Sequence, residues 1–187
     1  MKRFAATILA LVLALPLRAD ILANGSFADG AAHWSGDGHA GDSGGLVIQL
    51  DPEKWTTVSQ TFDTRETALD FTVNYQTSAD STLAKAGGSL SAATVGGPLF
   101  RRDINVKPGR WVVLLLDGAA GKLTFHRFKS PQGDAGEQTA HATFAQLLAH
   151  EEKTLVLAFP PSHGTVTLSN VALAPAGATA GVDGDTP

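Results

Sequence analysis

The sequence contains no cysteine. The fold therefore has no disulfides, there is no CxxC motif, and lipid cannot be attached through an N-terminal cysteine. Only 17% of the residues are charged, and the formal net charge of −4 comes without a basic stripe. Such an acidic chain is a poor match for nucleic acid or for an anionic membrane surface. Phosphate-binding loops and dinucleotide-binding glycine motifs are also missing.

The one long apolar run lies at the N-terminus. It covers residues 4–17, follows the basic pair Lys2 and Arg3, and precedes a small-residue cleavage site that ends at Ala19. This arrangement is typical of a secretory signal peptide. A membrane-spanning helix needs about 20 apolar residues, which this run lacks, and no comparable run follows. We therefore predict a signal peptide over 1–19, no membrane span, and an exported product that is periplasmic or secreted.

Short strands separated by Gly and Pro dominate the rest of the chain. Between residues 69 and 75, apolar side chains alternate with Asp70, Thr72 and Asn74, as expected for a half-buried strand. Further strands are predicted at 46–50, 55–62, 99–106, 110–117, 123–125, 155–159 and 166–173. The segment 110–117 is continuously apolar, which is typical of a strand buried on both faces. This pattern predicts an all-β jelly-roll sandwich of two antiparallel sheets over 20–174.

One short helix and a flexible tail complete the predicted organisation. Thr143 and Gln146 have capping-box spacing, and Phe144, Leu147 and Leu148 could bury one side of a two-turn helix. Residues 175–187 hold no large apolar side chain except one valine, so they cannot repay the entropy of ordering. We predict that this tail is flexible.

Two segments bracket the predicted domain: NGSFADGAAHW, from Asn24 to Trp34, and TLSNVAL, from Thr167 to Leu173. The strand alternation changes parity at Ser169-Asn170, which indicates a β-bulge. Together the segments resemble the ends of galactose-binding-like jelly-roll domains, particularly the carbohydrate-binding modules appended to bacterial glycoside hydrolases. Those modules commonly open with Asn-Gly-x-Phe-Glu-x-Gly-x-x-x-Trp and close with Asp-Asn-Val or Asp-Asp-Val. The resemblance implies the jelly-roll fold, with Trp34 in its core.

The resemblance also raises the question of structural calcium. Members of the family often hold this ion between the N- and C-terminal strands, with acids after the Phe and before Asn-Val among its oxygen ligands. This chain has Ala28 and Ser169 at those positions, which argues against the site. Asp29, one residue later, is the one candidate metal ligand.

Few aromatic side chains are available to stack on sugar rings. Trp111 leads into an apolar strand and is predicted to lie in the core. Trp55 lies among polar residues, and Tyr75 ends an inward-facing row where its ring could be buried and its hydroxyl wet. Trp55 and Tyr75 are therefore the candidate ligand-binding residues.

The segment Gly41-Asp42-Ser43-Gly44-Gly45 matches the nucleophile loop of chymotrypsin-like proteases. In those enzymes a histidine base and a buried aspartate, carried by earlier strands, activate the serine. Here only 21 residues, from Asp20 to Ala40, come before the motif in the predicted mature chain. A Gly-rich turn is the favoured interpretation, and we predict no catalytic residue. The nearby group His33, Asp37, His39 and Asp42 matches no familiar metal-binding spacing.

These observations favour an exported, non-catalytic binding module, with polysaccharide or another glycan as its ligand. An alternative is a structural or protein-interaction domain of the cell envelope, which the shortage of exposed aromatic residues favours. A serine hydrolase that uses Ser43 is the remote alternative.

Overall fold

The computed structural model describes residues 20–118, 121–132, 135–149 and 151–177. The predicted signal peptide and residues 178–187 of the predicted tail lie outside these ranges. The described residues form short and medium-length β-strands, listed here in chain order: β1 Ser35–Gly36, β2 Gly38–Ala40, β3 Leu46–Gln49, β4 Thr56–Thr64, β5 Leu69–Thr77, β6 Gly88–Ser91, β7 Asp103–Val106, β8 Arg110–Asp117, β9 Lys122–Lys129, β10 Gln138–Phe144, β11 Glu151–Phe159 and β12 Thr165–Pro175. A 3₁₀ turn, Leu83–Lys85, and one α-helix, α1 Ala92–Gly96, lie among them.

Two five-stranded antiparallel sheets pack face to face, which confirms the predicted all-β sandwich. The first sheet has the order β1-β4-β11-β8-β9, and the second has the order β10-β5-β12-β3-β2. Strands β6 and β7 pair only with each other. Strands β9 and β10 are thus edge strands, one in each sheet. No helix of the described residues is long and apolar enough to cross a membrane.

The alternation in β5 places its apolar residues between the sheets as predicted. Leu69, Phe71, Val73 and Tyr75 are buried there, while the residues between them are partly exposed. The predicted core residue Trp111 is fully buried. Trp34, by contrast, is half-buried and packs on the edge of the core, with its ring centroid 5.5 Å from that of Phe27.

Strand β8 is buried on both faces, as its continuous apolar sequence predicted. Trp111, Val113 and Leu115 face the space between the sheets. The alternate residues Val112, Leu114 and Leu116 belong to a second apolar cluster, which residues of β6, α1 and β7 complete. Residues 88–106 therefore form a flap over the outer face of the first sheet. This flap is why β8 needs no polar face.

The helix predicted after Thr143 is wrong. Thr143 and Phe144 are the last residues of β10, opposite Asp70 and Leu69 of β5. The Thr143 hydroxyl donates to Asp70 Oδ1 at 2.8 Å instead of capping a helix. Gln146 has a left-handed φ of 58°, which a helix does not accept. The short helix lies instead in the flap.

The two segments that bracket the domain meet in space. The Ile21 amide donates to the Leu173 carbonyl at 2.9 Å, and the Val171 amide donates to the Gly25 carbonyl at 2.8 Å. The register of β12 against β5 shifts between Leu168 and Asn170, which confirms the predicted β-bulge. Pro175, which the sequence assigned to the tail, is the last residue of β12.

Candidate functional site

A groove of about 920 Å³ opens along the side of the sandwich where the edge strands β9 and β10 approach each other. We call it the edge groove. The lining residues that matter below are Tyr75, Phe128, Ser130, Gln132, Gln138 and His141. Because they come from both sheets, the groove exists only once the sandwich is closed.

Aromatic rings line and support the edge groove. Trp111 lies behind it, with its ring centroid 5.2 Å from that of Tyr75 and 5.0 Å from that of Phe128. The Phe128 ring is half-buried and lines the groove. Such edge-to-face and tilted aromatic contacts stabilise a packed cluster beyond simple area burial. The groove therefore has a firm apolar wall.

Tyr75 joins the two sheets at this wall. Its side chain is buried, and its hydroxyl donates to the Lys129 carbonyl of β9 at 3.0 Å. Burial raises the pKa of the Tyr75 hydroxyl, and the neighbouring Trp111 side chain partly offsets that rise. The phenol is thus held neutral, as the donor that this hydrogen bond requires.

Ser130 carries a buried polar atom that the protein leaves unsatisfied. The Ser130 amide donates to the Gly109 carbonyl at 2.8 Å. Its hydroxyl is buried and has no hydrogen-bond partner in the part of the chain that the structure describes. Leaving such a group unpaired costs about 1–3 kcal/mol. Ser130 lines the groove, so a ligand hydroxyl or carboxylate that displaces the atoms covering this hydroxyl would recover the cost.

The structure does not bring the two predicted ligand-binding residues together. Tyr75 lines the edge groove, between the sheets. Trp55 packs against the flap on the outer face of the first sheet, and its indole nitrogen donates to the Ser89 carbonyl at 3.1 Å. Trp55 is half-buried rather than fully exposed. The role of Trp55 in binding stays a prediction. A ligand bound by Trp55 would lie on the flap surface and not in the edge groove.

The outer face of the second sheet is a polar ladder. Three residues of β10 meet their direct partners on β5 through side-chain hydrogen bonds of 2.8–3.0 Å: Thr143 with Asp70, His141 with Thr72, and Thr139 with Asn74. A smaller concavity of about 630 Å³ follows this face. Because the ladder satisfies its own polar groups, it offers a ligand less than the edge groove does.

The predicted calcium ligand Asp29 is exposed, and its hydrogen bond to Asn24 is made by its backbone amide and not by its carboxylate. Its amide donates to Asn24 Oδ1 at 3.1 Å. The Asn24 side-chain nitrogen in turn donates to the carbonyls of Gly30 and Ala32 at 3.0 and 3.1 Å. The Asn24 side-chain amide thus already satisfies two carbonyl oxygens of this loop, which are groups of the kind that calcium binds. Among the residues that the structure describes, no three His, Asp or Glu side chains cluster as a metal site.

The GDSGG segment forms a tight turn. The Gly44 amide donates to the Gly41 carbonyl at 3.1 Å, and the Gly41 amide donates to the Gly45 carbonyl at 3.1 Å. Ser43 is exposed at the tip of this turn. Asp37 accepts a hydrogen bond from the Thr57 amide at 2.9 Å, so its carboxylate holds the loop to β4. Among the described residues, no hydrogen bond joins the Ser43 hydroxyl to a histidine, as a serine nucleophile requires.

Neither protein-family models nor curated proteins match the sequence. Solved structures do match the fold. TmCBM61, a carbohydrate-binding module solved with β-1,4-galactotriose, is 9% identical, with a TM-score of 0.51 over 82% of this chain and 97% of that chain. The chain has the fold of a carbohydrate-binding module.

Two longer proteins contain a similar unit. An arabinose-bound α-L-arabinofuranosidase is 11% identical, with a TM-score of 0.53 over 84% of this chain and 26% of that chain. The enzymatically active domain of tailspike protein 4 from bacteriophage CBA120 is 10% identical, with a TM-score of 0.52 over 83% of this chain and 21% of that chain. At these identities the likeness concerns the fold alone.

Sequence reasoning found Tyr75 but missed Phe128 and Ser130. Phe128 alternates with polar residues in a segment where only 123–125 was predicted as a strand. An extended β9 would have placed Phe128 at an edge strand, which was the one available signal. Nothing in the sequence indicates that the Ser130 hydroxyl lacks a partner.

Proposed function

We propose that the chain is a non-catalytic carbohydrate-binding module that takes a glycan in the edge groove. The observation that carries the proposal is the pairing of a half-buried Phe128 ring with the unsatisfied Ser130 hydroxyl in one groove. A sugar presents both chemistries that these side chains offer, an apolar C–H face and a rim of hydroxyl groups. The shared fold supports the proposal, because one of the similar structures holds a galactotriose.

The groove follows the edges of two strands, so its shape suits an extended oligomer rather than a compact ligand. Polar residues lie along its β10 side, with Gln132 before the strand and Gln138 and His141 on it. Ligand sites commonly combine an apolar wall with a few polar groups that set orientation. We expect Phe128 to stack on one sugar ring and the polar groups to bind its hydroxyls.

Affinity electrophoresis through gels that contain soluble polysaccharides tests this placement. Phe128→Leu should weaken retention by about fivefold in Kd, corresponding to about 1 kcal/mol for the lost aromatic face. Trp55→Leu is the matched control, because it removes a ring of the flap surface and leaves the groove intact. Loss of retention in Trp55→Leu alone would move the site to the flap. Unchanged mobility of the wild type in all gels would favour the alternative of a protein-interaction domain.

Ser130→Ala separates a ligand contact from a structural one. Removing an unsatisfied buried hydroxyl should leave the melting temperature unchanged or slightly raised. The same change should weaken glycan binding, because the ligand loses a hydrogen bond. Equal affinities of wild type and Ser130→Ala would exclude this hydroxyl from the site.

Export and the absence of catalysis belong to the same proposal. N-terminal sequencing of the protein recovered from the cell envelope or medium should begin near Asp20. A fluorophosphonate probe should leave Ser43 unlabelled, since the turn brings no base to its hydroxyl. Labelling of Ser43 would instead support the hydrolase hypothesis.

A further inference from the structure

Asn24 is the only asparagine of the sequence that precedes a glycine. At such a pair the side-chain amide is lost most readily without an enzyme, because glycine has no side chain to hinder the reaction. The deprotonated backbone nitrogen of Gly25 attacks Cγ of Asn24, a Cγ–N bond forms, and Nδ2 leaves as ammonia. Water then opens the five-membered ring to aspartate, or to isoaspartate, in which the main chain runs through Cγ. The net reaction consumes one water and releases one ammonia.

The folded loop holds the Asn24 carboxamide, which is one of the two reacting groups. Its nitrogen donates to the carbonyls of Gly30 and Ala32 at 3.0 and 3.1 Å, and its oxygen accepts from the Asp29 amide at 3.1 Å. Ring closure must move Cγ onto the Gly25 nitrogen. The carboxamide therefore has to leave these three hydrogen bonds before it reacts.

The second reacting group, the peptide between Asn24 and Gly25, is held as well. The Asn24 carbonyl accepts from the Phe27 amide at 3.1 Å and from the Trp34 indole nitrogen at 3.3 Å. Gly25 is buried, and its carbonyl accepts from the Val171 amide at 2.8 Å. Both groups are thus fixed by their neighbours, and the reaction has to wait for a local opening of this loop.

We propose that Asn24 is a deamidation site that the folded loop protects, and that the modified residue prevents the loop from closing again. An aspartate places an acceptor oxygen where Nδ2 now donates to the carbonyls of Gly30 and Ala32. An isoaspartate lengthens the main chain beside Gly25, where even a Cβ atom would lie 2.1 Å from the Val171 carbonyl oxygen. Either product releases the N-terminal segment from β12. This inference is independent of glycan binding.

Peptide mass spectrometry tests the protection. The purified protein and a synthetic peptide of residues 20–30 are incubated in the same mildly alkaline buffer, and conversion of Asn24 is followed in both. We expect the conversion to be at least about tenfold slower in the folded protein, because it requires opening of the loop. Equal rates in protein and peptide would overturn the proposal.

Trp34→Phe tests whether the loop contacts are the cause of the protection. It removes the indole donor to the Asn24 carbonyl and keeps an aromatic ring at this position. Conversion of Asn24 should become about fivefold faster, as expected for the loss of one hydrogen bond. Trp55→Phe is the matched control, because it removes an indole donor to the Ser89 carbonyl in the flap. Equal rates in the Trp34→Phe variant and the wild type would contradict a protective loop.

Asn24→Asp supplies the main deamidation product with an unbroken main chain. We expect it to lower the melting temperature by about 5 °C or more, because two loop carbonyls lose their donor and face a carboxylate. Asn105→Asp is the matched control, since it adds the same charge at an exposed residue of β7. A wild-type melting temperature for Asn24→Asp would show that the product fits the closed loop, which overturns the second half of the proposal.

Discussion

The carbonyl oxygen of Gly25 accepts a hydrogen bond from the amide of Val171 at 2.8 Å. This bond joins the N-terminal segment to the last strand of the sandwich just beyond its β-bulge. A Cβ atom at residue 25 would lie 2.1 Å from the Val171 carbonyl oxygen. Glycine is therefore needed at this position because two backbones approach each other closely, and not only because Asn-Gly favours a turn.

Replacing this glycine should separate the two segments. We expect Gly25→Ala to reduce the free energy of unfolding by about 2–3 kcal/mol, because the clash is with backbone and neither segment can move without losing hydrogen bonds. Urea denaturation measures the change. Gly118→Ala is a suitable control, since its Cβ would meet the Glu152 carbonyl at an ordinary 3.5 Å. A similar loss in both variants would mean that this contact is not special.

The Asn24 side chain holds the opening loop together through three hydrogen bonds and a left-handed backbone with φ of 51°. We expect Asn24→Ala to lower the free energy of unfolding by about 2 kcal/mol, since it leaves loop carbonyls and one amide unpaired and strains the backbone. Asn24→Gly removes the same bonds without the strain, so it should be the less damaging change. Identical losses would assign the whole effect to the hydrogen bonds.

Calcium binding through Asp29 can be tested by its effect on stability. If the ion stabilises the loop, a chelator should lower the melting temperature of the mature protein, and added calcium should restore it. We expect no change, because the amide of Asn24 already donates to the carbonyls of Gly30 and Ala32. Asp29→Asn, which removes the carboxylate, should melt like the wild type. A chelator effect that Asp29→Asn abolishes would establish the site.

A buried ion pair ties the end of β8 to β11. Lys153 Nζ lies 3.3 Å from Asp117 Oδ1 and also donates to the Leu148 carbonyl, while Asp117 Oδ2 accepts from the Leu148 amide at 3.1 Å. Lys153→Met should cost about 3–5 kcal/mol, because it leaves a buried carboxylate uncompensated. Adding Asp117→Asn should recover part of the loss. A double-mutant cycle by urea denaturation measures the coupling, and additive losses would contradict it.

The stability of the protein should fall at alkaline pH because of Tyr75. Burial raises the pKa of its hydroxyl above the usual value of 10.0. The folded state therefore holds the proton more tightly than the unfolded state, and this contribution is present below pH about 10 and is lost as the pH rises through the raised pKa. Tyr75→Phe should lack this component of the decline. Tyr75 is the only tyrosine, so the near-ultraviolet absorbance of phenolate reports its titration directly, and a midpoint at the ordinary value would contradict the prediction.

The strands that the sequence predicted share one property, which is that their own side chains reveal their environment. The alternation from Leu69 to Tyr75 needs one apolar and one polar side, so it specifies a half-buried strand wherever the partner strands lie. The apolar run from Arg110 to Asp117 requires cover on both faces. The parity change at Ser169-Asn170 likewise predicted the bulge. In each case the local pattern and the final environment agree.

The segment around Thr143 shows where local pattern is insufficient. Its capping-box spacing is compatible with a helix, and its alternation of Ala140 with Phe144 is compatible with a strand. Pairing with β5 decided between the two, because the strand places Phe144 in the core and satisfies the backbone of an edge of β5. The sequence likewise did not show that residues 88–106 form the flap over β8, because a local pattern does not reveal which distant segments pack together.

By itself, the sequence determined the fold class, the main strand faces and Tyr75 as a candidate ligand-binding residue, because periodicity and composition act within a few neighbouring residues. Only the tertiary structure decided the edge groove. Phe128 packs on Trp111 through the register of β8 and β9, and Ser130 lines the same groove as residues of the opposite sheet. These residues come together through backbone hydrogen bonds between segments that are distant in the sequence. The order of the side chains does not show which segments pair.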